Sequence, residues 1–181
     1  MAKLPDPTSS LGPEAQEVYR QMVTKRGHID GMYRSLLYHP ELAEQVSNLG
    51  AFLRFGTKVL PDALRELLIL WVARQLDAAY QWVKHAPVAR EAGVSPEVIE
   101  AMRTHQEPLA LDGLQQAALA AARCVLQRKC IPQPLQDELV SALGIKGVVE
   151  LVVLCGFYEM IAGVIFAFEV PLPEGVADPF G

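Results

Sequence analysis

Apolar residues recur at steps of three and four along almost the whole of this chain, and no stretch shows the strict alternation that a half-buried strand requires. The expected fold is therefore all-α, a compact helical bundle. Proline, glycine and capping residues divide it. Pro13, with Glu14 and Glu17 behind it, suits the first turn of a helix that runs to about Lys25 and stops at Gly27. His39 and Pro40 open a second, which carries Leu42, Val46, Leu49, Phe52 and Leu53 toward Phe55. Ser95 caps a short helix with Pro96 at its first position and Glu97 in its first turn. Further helices are expected near Leu111 to Gln127, from Pro132 to Leu143 and from about Lys146 to Phe168, with Gly144 separating the last two. From about residue 170 the chain carries Pro171, Pro173 and Pro179 and reads as an extended tail, able to lie across a neighbouring subunit.

The centre of the pattern is an antiparallel helical hairpin around residues 61–92. In the helix that Pro61 begins, Leu64, Leu67, Leu68, Trp71 and Val72 form one apolar stripe, while Ile69, Leu70 and Ala73 share the side of Glu66. That helix is expected to be enclosed on nearly all sides, which sets Glu66 among hydrocarbon. The second helix starts at about Ala79 and bears Tyr80, Trp82 and His85. Pro87 should kink it or mark a boundary, because it leaves the Val83 carbonyl without its usual donor, and Gly93 ends it.

A chain of 181 residues that is 51% hydrophobic can bury a full core, and its length points to a single domain over residues 1–181. Its 16 basic residues are scattered singly among 21 acidic ones, which argues against an extended nucleic-acid surface and against charge-steered membrane binding. The opening MAKLPDPTSS contains no apolar run, so no secretory signal and a cytoplasmic location are expected. Cys124, Cys130 and Cys155 are odd in number and lack C-x2-C spacing, which indicates neither a disulfide framework nor a structural zinc site. The run from Val148 to Phe168 is long enough to cross a membrane, but Glu150 and Glu159 would be costly in mid-bilayer, and it reads as an interior or interface helix.

Glu66 precedes the turn between Leu76 and Ala79 by two to three helical turns and His85 follows it by about two, so both lie at similar depth if each helix advances about 1.5 Å per residue. Burial would raise the carboxyl pKa and a protonated imidazole would lower it, so that the pair titrates as one unit. Such a pair either passes protons near neutral pH or simply satisfies itself inside a helical core.

The spacing Glu66, eleven residues, Ala78, two residues, Gln81, three residues, His85 resembles the E-x11-C-x2-C-x3-H frame of the alkylhydroperoxidase D family, with both cysteine positions empty. The resemblance extends through RGHIDGMYRSLLYHPELAEQVSNLGAFLRFGTKVLPDALREL, YQWVKHAPVAREAGVSPEVIEAMR and GFYEMIAGVIFAFEVPLPEG into the wider carboxymuconolactone decarboxylase superfamily, many of whose members lack the cysteine pair. It implies an alkylhydroperoxidase D-like bundle, a homo-oligomer of three or six subunits, and a cofactor-independent lyase or isomerase acting on a small unsaturated lactone or ring acid. His85 and Glu66 would be the catalytic proton relay. Gln81, at the second cysteine position, either supports a substrate oxyanion or is a polar filler. Tyr80 and Trp82 beside it, and Tyr158 from the closing helix, are candidate substrate contacts or core residues. Arg54 in FLRFG offers a bidentate fork for a substrate carboxylate or forms a surface ion pair. Two other readings stand beside the lyase: a peroxidase-like protein using the remaining cysteines, and a non-catalytic oligomeric binding protein that has kept only the fold.

Overall fold

A run of terminator and initiator residues sets eight α-helices in the computed structural model, which describes residue 4, residues 6–29 and residues 31–181. They are α1 (Pro13–Arg26), α2 (Gly31–Leu36), α3 (Pro40–Ala51), α4 (Asp62–Gln75), α5 (Ala79–Glu91), α6 (Pro96–Arg103), α7 (Gly113–Leu126) and α8 (Gln133–Ala167). Among the described residues there is no strand. Gly27 closes α1 at φ 81°, a conformation that favours glycine. The imidazole of His39 caps α3, its Nδ1 accepting from the Leu42 amide at 3.4 Å. Ser95 caps α6 by accepting from the Val98 amide, and Asp112 and Gln115 form a reciprocal capping box at the start of α7. α3 does not run unbroken to Phe55: residues 52–56 widen into a π-helical turn. The six-residue α2 had no separate signal in the sequence.

The expected separation at Gly144 takes the form of one long element with a break, where Gly144 adopts φ 69° and ψ 168°. Glu150 on α8 is buried, and Glu159 accepts from Arg128 at 2.9 Å. By length and composition alone α8 could cross a membrane. Of its four carboxylates, Glu150 lies in the protein interior and Glu159 is paired with Arg128.

The helices gather in two compact units, one of residues 1–57 and 163–171, the other of residues 58–162 and 172–181. In the first, α1 and α2 pack on α3. The second is built round α4, which packs most extensively on α5 and also meets α6 and α7. Every residue of α4 from Leu64 to Arg74 is buried, as its all-round apolar character predicts. α5 continues through Pro87 to Glu91, so the proline is not a boundary. Its neighbours His85, Ala86 and Ala89 are buried, and that packing outweighs one missing backbone hydrogen bond.

The end of the tail packs on its own chain. Phe180 sets its ring edge-on to Trp82 at 5.5 Å between centroids and lies under the Arg74 guanidinium at 4.2 Å. Arg103 donates to the Pro179 carbonyl at 2.8 Å.

Candidate functional site

The turn between α4 and α5 places the site. Asp77 takes the left-handed conformation at φ 51°, which aspartate tolerates better than most residues, and the Ala78 amide donates back to the Ala73 carbonyl at 2.8 Å. Arg74 binds the Asp77 carboxylate and donates through Nε to the Arg103 carbonyl, tying this turn to the end of α6. The tight reversal returns α5 along α4 and brings His85 beside Glu66.

These two side chains meet. With the carboxylate ionised, His85 Nδ1–H donates to Glu66 Oε2 at 2.8 Å. Glu66 has no exposed surface and His85 is 8% exposed. Arg65 Nε lies 3.5 Å from the other carboxylate oxygen, while its Nη1 donates to Asp62 at 2.8 Å. Arg65 is itself buried, so Glu66 is held between a guanidinium and an imidazole. A carboxylate removed from water needs such partners to remain charged. The bond from Arg65 also holds the Asp62 carboxyl below the usual carboxylate range. Arg65 is the contact that sequence reasoning passed over; its place three residues after Asp62 and next to Glu66 was the available signal.

Tyr158 of α8 reaches the same place, its ring perpendicular to the imidazole of His85 at 5.1 Å between centroids. Gln81 lies one helical turn before His85 on the same side of α5. It is 2% exposed, and neither its Nε2 nor its Oε1 has a hydrogen-bond partner. Leaving one buried polar group unsatisfied costs about 1–3 kcal/mol. Tyr80 and Trp82 are both buried on α5, and Trp82 has the Phe180 ring against it. Arg54 belongs to the other compact unit, where its guanidinium lies 4.8 Å from the centre of the Phe55 ring. It makes a cation–π contact there, and no ion pair joins it to another described residue.

A separate cleft of about 390 Å³ is lined by Trp71, Arg74, Met102, His105 and Arg123 among others. Neither Glu66 nor His85 borders it.

All three cysteines are free thiols. Cys155 is fully buried on α8, and desolvation pushes its thiol up to about 12. Since the thiolate is the reactive form, Cys155 is expected to resist a maleimide in the native protein and to react only after unfolding. Mass spectrometry of the labelled protein reads this directly, and rapid native labelling at Cys155 would contradict it.

The fold is that of the alkylhydroperoxidase D core. A peroxidase-related protein from Ralstonia eutropha JMP134, described as an alkylhydroperoxidase AhpD core, superposes with a TM-score of 0.78, covering 99% of this chain and 94% of its own at 14% identity. A peroxidase-related protein from Silicibacter sp. TM1040 gives 0.76, with 96% and 92% covered at 19% identity. The debrominase Bmp8, in complex with 2,3,4-tribromopyrrole, gives 0.72, with 98% and 92% covered at 17% identity. No curated protein matches the sequence. Residues 40–123, which include α4, α5 and both members of the buried pair, match the carboxymuconolactone decarboxylase family. The family match covers just under half of the chain, and the frame positions that would carry a C-x2-C pair are Ala78 and Gln81.

Proposed function

We propose that this protein is a cofactor-independent lyase or isomerase that moves a proton on a small unsaturated lactone or ring acid. The observation that carries this reading is the 2.8 Å bond between His85 and a carboxylate with no solvent exposure. Glu66 fixes the imidazole through Nδ1, so proton exchange with a substrate runs through Nε2, and the buried carboxylate stabilises the imidazolium whenever it forms. In a decarboxylation, the carbon–carbon bond to the leaving carboxylate breaks. Its electron pair passes into the ring as a dienolate, carbon dioxide departs, and imidazolium supplies the proton that closes the reaction. The Gln81 amide is within the same stretch of α5 to support the oxygen on which charge gathers.

Solvent exchange tests this. Incubation in deuterium oxide with a panel of unsaturated lactones and ring acids should give deuterium incorporation or carbon dioxide release that His85→Gln abolishes. Silence across the panel, or undiminished exchange in the variant, overturns the proposal. A thiol peroxidase would need other sulfur, since Ala78 and Gln81 hold the frame positions and Cys155 stays protonated in its buried site.

The same reading includes a homo-oligomer of three or six chains. It is supported by the apolar residues that α8 leaves exposed, Ile145, Val149 and Val153 at four-residue steps and Met160 beyond them. Light scattering of the wild type should give a multimer that Val149→Glu shifts toward monomer. A wild type that is monomeric at micromolar concentration rejects the assembly.

A further inference from the structure

A glutamine enclosed in protein normally finds partners for its amide, because that group carries two donors and an acceptor with two lone pairs. At Gln81 both ends are orphaned, and the side chain lies on the same side of α5 as His85. A reversed assignment of its oxygen and nitrogen changes nothing, since neither atom has a partner. With 2% of the residue exposed, an approaching subunit surface has almost nothing of it to cover. The group that satisfies it must enter the interior.

We propose that Gln81 is a specificity-determining residue that reads an adjacent donor and acceptor on the ligand. The ring bound beside His85 then carries an N–H or O–H next to a carbonyl, as a lactam, an N–H azinone or an undissociated ring acid does. This inference rests on the reading of the His85 region as a ring-binding site and moves its substrate class away from plain lactones, toward undissociated ring acids and lactam-like rings. An anion or a plain lactone offers only acceptors, so it can satisfy Nε2 and leaves Oε1 unpaired. A ring with N–H beside C=O meets both amide atoms in one plane, as two amides pair with each other. Sites built to hydrogen-bond a substrate N–H or O–H reject analogues without it far more strongly than apolar pockets reject a missing methylene.

The decisive pair of probes is 2-pyridone and 2-pyrone, which share ring size and carbonyl and differ in N–H against ring oxygen. Calorimetric or NMR titration of the full-length protein should show 2-pyridone binding at least about tenfold more tightly. Gln81→Leu and Gln81→Met should erase that preference. Removing two unpaired polar ends should leave Tm unchanged or raise it by about 2–4 °C. Equal affinity of the probes, binding of neither, a preference that survives in both variants, or a Tm that falls in both would each overturn the inference. His85→Gln provides the separation from the proton-transfer reading. Its pyridone preference should persist even if no turnover exists, and loss of the preference there would assign the recognition to the imidazole and reject Gln81.

Discussion

Glu66→Ala is expected to cost about 3–5 kcal/mol of folding stability, the range seen when one partner of a buried ion pair is removed. The loss exceeds that of an ordinary polar-to-alanine change because of what remains. Arg65 and His85 are both buried beside the vacated carboxylate. At roughly 2–4 °C per kcal/mol for a chain of this size, Tm should fall by about 6–20 °C. Glu66→Gln should lose less, since its amide oxygen can still accept from His85 Nδ1. Urea unfolding of the three proteins measures both effects. A Glu66→Ala penalty under about 1 kcal/mol would mean that the pair does not hold the hairpin as described.

The second large effect is on rate. For His85→Gln, turnover of the substrate that the exchange panel identifies should drop by about 10²–10⁴-fold, the usual contribution of a positioned general acid or base. Stability should change much less than in Glu66→Ala, because the glutamine amide can donate to Glu66 where the imidazole N–H did. The two variants therefore separate the roles of the pair, the carboxylate chiefly as holder and the imidazole chiefly as proton carrier. A rate within threefold of wild type, on a protein with normal unfolding, removes His85 from the chemistry.

The contrast between these residues and their neighbours shows which features a sequence carries. The helix starts at Pro40 and Pro96, and that of α4 to within one residue of Pro61, were readable because caps act within one turn, and the apolar stripes of α4 were readable because burial imposes period. The approach of Glu66 to His85 was readable for a related reason: a three-residue turn leaves two helices few ways to lie together. Where several distant forces compete, local pattern says less. Pro87 carries a breaking signal that the packing of Ala86 and Ala89 overrules. The pairing of Trp82 with Phe180 joins residues far apart in the chain, and no spacing announces it. Arg65 was not singled out, since its contact with Glu66 depends on how α4 is rotated in the bundle. Gln81 was visible as a substitution in a known frame, but the isolation of its amide depends on every side chain around it.

Arg65 is one guanidinium divided between an outer carboxylate, at Asp62, and an inner one, at Glu66. Asp62 sits at the surface with half of its side chain exposed, where change is ordinarily tolerated. Here it shares, through Arg65, the cation that also lies beside the interior carboxylate. A surface aspartate and a core glutamate are thus joined by a single guanidinium, so a substitution at the exposed position also frees a cation next to the buried one.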